Sequence, residues 1–286
     1  VATPLRLCGL NEPSSRFINR WLDVTKSNLL FAGGVILVEG IAEQMLLPTL
    51  ARIVLNEQKE GRKTLEDLGI STVNLNGIYF KHFMQLYCNL SGSDENDEGV
   101  MWKNIPIRCS GLTDLDPPKV VKKIVLDLEK DGEEKEVDEE FIPYEGNIKD
   151  GTNHAVKLVE TINKSTHARL YVSKYKTLEY DLAMEGNNAA LMSEIIAFLW
   201  PTPIKGEGTV IPEFIEMAKQ DWTKKSPHEV AEAAQKILKK IDDDNIGKGL
   251  FAQVLADKIK CKNYDFSVPA YIKKAILWAA SVDFQE

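Results

Sequence analysis

Cysteine and histidine are scarce in this sequence, four of each in 286 residues. Cys8, Cys88, Cys109 and Cys261 show no C-x-x-C spacing and the histidines are scattered. That argues against a structural zinc site or a disulfide framework and points to free thiols in a reducing, cytoplasmic compartment. Long apolar runs are also missing. The longest, Leu29–Val38, is half the roughly 20 residues that a membrane-spanning helix requires, so no membrane partner is expected. The start carries no basic region followed by an apolar one, hence no visible secretion signal. The opening "VATPLRLCGLNEPSSRF" reads like sequence from the middle of a protein, and a fragment of something longer is expected.

What is present is the composition of a globular chain, 44% apolar and 27% charged, with length for one large domain or two smaller ones. A net charge of −8 at first disfavours a nucleic-acid partner. Its distribution weakens that objection. Residues 127–140, "DLEKDGEEKEVDEE", hold nine acids against two lysines and account for seven of the eight excess negative charges. An acidic site that binds metal ions also counts as negative in the sequence, although the ions offset it in the working protein.

Residues 14–31, with Phe17, Trp21 and Val24 at helical spacing, predict a helix and a connector. A short strand follows at Val35–Val38, bounded by glycines, then a helix over 42–59 that Pro48 should kink unless it falls in the first turns. Next come a strand at 70–75, a helix at 79–90, a solvated loop at 91–99 and a third strand at 105–109. This strand–helix alternation predicts a parallel α/β sheet whose strands end at one edge, where such sheets bind ligands. Residues 120–144 form a hairpin or extended arm, and 167–173 a fourth strand. From Asn187 the pattern is helical, over 187–199, 211–221, 228–242, 249–260 and 268–280. Ser226-Pro227-His228-Glu229 opens the third of these as a capping box.

Glu39 falls at the end of the first strand, and Asp114 and Asp116 just past the third, where Pro117-Pro118 forces the chain away. An extended D-x-D points two carboxylates the same way. If the first and third strands are neighbours, the three acids converge, and burying them unpaired costs several kcal/mol each. Divalent Mg²⁺ or Mn²⁺, which take oxygen ligands, would relieve this. Taken singly, a glutamate after a strand is usually solvated and a D-x-D beside proline is usually a turn. The specificity lies in the pair, "VEG" and "TDLD", about 75 residues apart. Ser110 and Thr113 could also reach a metal or merely cap turns. His154 and His167 read as structural or solvated. Lys122, Lys123, Lys164, Lys174 and Lys176 could touch phosphate, though a solvated face is commoner, and the acidic stretch reads as a solvated arm.

"VILVEGIAEQMLLPTLA" followed by "IRCSGLTDLDPP" resembles the Toprim nuclease domain of the overcoming-lysogenisation-defect (OLD) family. "FINRWLDVTKSNLLFAGGVILVEG" is similar to that family's junction into Toprim, and "KTLEYDLA" and "GKGLFAQVLADKI" to its later motifs. The resemblance covers about residues 17–260. It implies a Rossmann-like Toprim fold, a mainly parallel sheet flanked by helices, with an additional mainly helical domain. The implied division is a junction at 1–30, Toprim at 31–185, a helical domain at 186–245, and helices at 246–286 returning to pack on Toprim.

The resemblance implies a metal-dependent DNA endonuclease with two divalent cations, Mg²⁺ or Mn²⁺, held by Glu39, Glu43, Asp114, Asp116 and Glu179. Glu39, Asp114, Asp116 and Lys248 would be catalytic. Without it, Glu43 reads equally as a favourable first-turn helix charge, Glu179 as a surface residue with Asp181 as rival, and Lys248 as a solvated lysine at a helix start. An N-terminal ABC-type ATPase precedes Toprim in the family. No Walker A pattern is present here, so ATP would enter only through that missing domain. A nearby-encoded helicase as partner, and a role in phage defence or DNA repair, are implied likewise. Rival readings are another Toprim activity (strand passage or primer synthesis), a non-catalytic recombination mediator, and a haloacid-dehalogenase-like phosphatase. The last is disfavoured because its early nucleophile is an aspartate.

Overall fold

The structure is a computed structural model that describes residues 7–22, 28–57, 64–90, 103–127, 133–201, 210–262 and 265–282. The loop expected at 91–99 and the centre of the acidic stretch, 128–132, lie outside the described residues.

Helix α1 (Glu12–Trp21) starts at Asn11, whose side chain accepts from the Ser14 amide. After the short α2 (Asn28–Phe31) come β1 (Gly34–Val38), α3 (Ile41–Glu57), β2 (Ile70–Asn74), α4 (Phe80–Met84) and β3 (Arg108–Thr113). The hairpin β4 (Val120–Asp127) and β5 (Glu133–Glu140) follows, then α5 (Val159–Asn163) and β6 (Ala168–Val172). The rest is helical: α6 (Leu178–Met184), α7 (Asn188–Leu199), α8 (Val210–Ala218), α9 (Pro227–Ile241), α10 (Lys248–Lys262) and α11 (Ala270–Ala279).

The main sheet is parallel in the order β2-β1-β3-β6. The expected adjacency of the first and third strands therefore holds, with Leu37 opposite Gly111. β1 is buried along its whole length, and its alternating side chains serve two cores. Ile36 and Val38 join a cluster shared with α3, α6, α7 and α9 to α11, whereas Val35 and Leu37 join one with α1, α2 and α4. The first cluster runs without a break from the sheet through Ile241 of α9. α10 lies against α3, and α11 against β3 and β6.

Two local expectations change. The third strand runs to Thr113 rather than stopping at Cys109. Ser110 and Gly111 look like loop residues in sequence, but both are buried. A Cβ on Gly111 would stand 2.7 Å from Leu170 Cδ1 and from Met84 Cε, so a small residue is what lets the strand pass beneath α4. The helix expected at 79–90 ends at Met84, where the chain turns to drop Leu86, Tyr87 and Cys88 into the core. The Tyr87 hydroxyl donates to the Leu29 carbonyl at 2.6 Å. α3 runs through Pro48; its burial on both sheet-side and helix-side neighbours offsets the one backbone bond that proline cannot make.

Candidate active site

Glu39 directly follows β1 and Asp114 directly follows β3, at the carboxyl edge of the parallel sheet. One oxygen of Glu39 accepts from the Thr113 hydroxyl, from the Asp114 amide at 3.2 Å, and from Asn153 Nδ2 at 3.4 Å. Asn153 is buried and also donates to Thr113 Oγ1 at 3.1 Å and to the Asp114 carbonyl at 3.0 Å, and it reaches Asp116 Oδ2 at 3.5 Å. Its own Oδ1 accepts from the Ala155 amide. This residue ties Glu39, Asp114 and Asp116 together, and nothing in its local sequence announced that.

The D-x-D pair is not the uniformly extended run expected. Asp116 has φ +48°, a left-handed conformation that aspartate tolerates better than most residues. It is clamped on both sides: its amide donates to the Lys176 carbonyl, and its carbonyl accepts from Thr152 N and Oγ1. The turn directs Asp116 toward the solvent side of the site while Asp114 stays inside, with Oδ1 accepting from the Leu178 amide at 2.9 Å.

Glu43 lies in the first turn of α3 and Glu179 in the first turn of α6. Glu179 is 2% exposed, which removes the surface reading. Asp181, its rival, has both oxygens committed to the backbone amides of Lys174, Tyr175 and Lys176. Asp181 thus shapes the β6–α6 loop, and Glu179 is left to face the cluster. Lys248, at the start of α10, completes it, with Nζ 3.3 Å from Glu179 and 3.5 Å from Asp242.

The electrostatics record the crowding. Asp114 is pushed well above the usual carboxylate range by burial and then by Glu43, Glu179, Glu39 and Asp116. Burial, followed by Glu179, moves Glu43 to about 7. Glu39 rises through burial, partly opposed by its bonds from Thr113 and Asp114. Asp116 also rises through burial, against the pull of Lys248 and Lys119. Burial would lower Lys248, but Glu179, Asp242 and Asp114 outweigh it and hold the ammonium charged. Tyr271, in the first turn of α11, has a hydroxyl without a hydrogen-bond partner among the described residues. Burial raises its pKa, as do Asp181, Asp114, Glu43 and Glu179.

Among the described residues, no three carboxylate, thiolate or imidazole groups converge tightly enough to hold one ion as they stand. The donor set nevertheless suits hard divalent cations. Its ligands are carboxylate oxygens on adjacent elements, and their mutual repulsion is what such an ion relieves. Of the other sequence candidates, Thr113 belongs to the cluster through Glu39. Ser110 is buried with its hydroxyl unpartnered among the described residues. His154 is exposed and His167 bonds to Thr166. Lys122 and Lys123 pair with Glu136 and Glu139 across the hairpin.

Residues 30–116 match the family model described as overcoming lysogenization defect protein-like, TOPRIM domain. A search of curated proteins finds no match. Among solved structures, the C-terminal region of the Burkholderia pseudomallei OLD protein is similar at 23% identity and a TM-score of 0.50, covering 88% of this chain and 98% of that one. The C-terminal region of the Xanthomonas campestris pv. campestris OLD protein is similar at 23% identity and a TM-score of 0.50, covering 89% and 95%. At this identity the likeness is one of fold. No helix among the described residues is long and apolar enough to cross a membrane. Residues 30–116 thus match an OLD-like TOPRIM domain, and the chain around them has the fold of OLD C-terminal regions.

Proposed function

We propose that the chain is a Mg²⁺- or Mn²⁺-dependent DNA endonuclease. The observation that supports this reading best is the crowding of Glu39, Glu43, Asp116 and Glu179 around the buried Asp114, close enough to raise its pKa, with Lys248 beside them at the carboxyl edge of the sheet. The five acids would hold two divalent ions. When bound, such ions supply a nucleophilic water and charge stabilisation at a phosphodiester. The chain's own groups do the rest. Thr113 and Asn153 hold Glu39 in one orientation, the Leu178 amide holds Asp114, and the Lys248 ammonium offers a fixed positive charge to a phosphate oxygen. ATP would act through an ABC-type ATPase domain preceding this region in a longer chain, and a nearby-encoded helicase would be a partner. Phage defence or DNA repair, in the cytoplasm, is the setting such a nuclease would fit.

Supercoiled plasmid incubated with the protein and Mg²⁺, Mn²⁺ or EDTA, beside Asp114→Ala, tests the reading. Nicking with metal, lost in EDTA and in the variant, is expected. DNA binding without cleavage under any metal would instead favour the recombination-mediator reading.

A further inference from the structure

A cleft of about 710 Å³ opens beside the acid cluster. Asp114 and Asp116 form one end. Beyond them it is lined by four lysines from four separate parts of the chain: Lys119 before β4, Lys176 after β6, Lys239 on α9 and Lys248 on α10. Elements far apart in sequence therefore bring four lysines to the wall of one concavity. Isolated lysines on a solvated face point outward and need no such arrangement.

The lining sets four acids, Asp114, Asp116, Glu140 and Asp242, against the four lysines, and the direct hydrogen bonds are shared out unevenly. Lys176 is partly buried, and its Nζ donates to the neutral amide oxygen of Gln235 at 2.9 Å. Gln235 in turn donates to Glu140 at 2.8 Å, and the other oxygen of Glu140 accepts from Lys239 at 2.6 Å. One carboxylate at the base of the hairpin thus serves two lysines, one of them through an intervening amide. Asp242, the remaining acid of the far wall, is engaged by Lys248. Burial lowers the Lys176 pKa, and Glu140 and Asp242 oppose that without touching the ammonium, whose direct partner is a neutral amide. With divalent ions held at Asp114 and Asp116, the adjoining wall would keep four lysines against Glu140 and Asp242 and carry net positive charge toward an anion.

We propose that this cleft binds the DNA backbone next to the scissile bond, with Lys176 and Lys239 contacting a phosphate that is not itself cleaved. The inference rests on the endonuclease reading and adds to it the path of the substrate. It also gives the helical part of the chain a share in holding DNA, because Gln235 and Lys239 both lie on α9. Lysine is the cation found here, and the lining contains no arginine. Point-charge contacts to phosphate, rather than bidentate readout of guanine, give binding that does not depend on base sequence.

The test is fluorescence anisotropy with a short labelled DNA duplex, Ca²⁺ replacing Mg²⁺, titrated over a range of salt. It compares the wild type, Lys176→Gln, Lys239→Gln and the hairpin control Lys123→Gln, with thermal unfolding of each variant as a check on folding. Each cleft variant should weaken binding about 3- to 10-fold and lower the slope of log affinity against log salt by about 0.9, the loss of one phosphate contact. Lys176→Arg should restore both, and Lys123→Gln should change neither. If folded Lys176→Gln and Lys239→Gln match the wild type in affinity and slope while the wild type binds and nicks DNA, the channel is refuted and the nuclease reading stands. If the wild type binds DNA but nicks none, the slopes still decide the channel. A wild type that neither binds nor nicks overturns both.

Discussion

Replacing Glu43 by glutamine should stabilise the metal-free protein, the opposite of what removing a buried charge usually does. Glu43 titrates near 7 instead of its ordinary 4.5 because burial and Glu179 disfavour its ionised form. A folded-state pKa above the unfolded value means that the fold binds the extra proton. The cost is absent below pH 4.5, grows as pH rises toward 7, and is fully present above it. At about 1.4 kcal/mol per pH unit the ionised side chain destabilises the fold by up to ~3 kcal/mol at pH 8. Glutamine keeps the shape and removes the charge, and it also relieves Asp114, for which Glu43 is the first carboxylate neighbour to matter after burial. For a chain of this size a gain of 2 to 3 kcal/mol corresponds to a rise in Tm of roughly 4 to 12 °C. Thermal unfolding at pH 5, 7 and 8 in EDTA checks it. The gain should be small at pH 5 and full at pH 8. In Mg²⁺ the order should reverse, because the wild type gains a bound ion that the variant holds less tightly. A Glu43→Gln variant less stable than wild type at pH 8 in EDTA, or one whose advantage ignores pH, would refute the reasoning.

Asn153→Ala should lower plasmid nicking at least tenfold and stability by ~2 kcal/mol. It removes the donor shared by Thr113 and the Asp114 carbonyl and the acceptor that caps Ala155. Nicking rates and urea unfolding of the same preparation measure the two effects. Gly111→Ala should cost about 1 to 3 kcal/mol through overlap with Leu170, Met84 and Phe80, read as a lower Tm.

The parallel sheet and the positions of Glu39, Glu43, Asp114 and Asp116 at its edge were legible because each rests on a short-range pattern, whereas the Toprim likeness and the metal-ligand role of Glu43 came from the family resemblance. Val35–Val38 is an apolar run between glycines, Glu43 follows Glu39 by one helical turn, and Asp114 and Asp116 precede two prolines. Those patterns depend on backbone period and turn chemistry, which a few neighbouring residues determine. Nothing local separated Glu179 from Asp181. Only the fold did, by turning three loop amides onto Asp181. Asn153 likewise reaches Glu39 across 114 positions, and its sequence neighbourhood marks it as nothing more than a cap. The same holds for the end of β3, where Ser110 and Gly111 look like a turn until the side chains of α4 and β6 leave no room for more than glycine at 111. The four lysines of the cleft come from segments that look solvated one at a time. The sequence by itself determined which stretches become strands and helices, and which acids stand at their ends. Tertiary structure decided which of those acids face one another and what surrounds them, because charge crowding, burial and hydrogen-bond satisfaction are properties of groups brought together from distant parts of the chain.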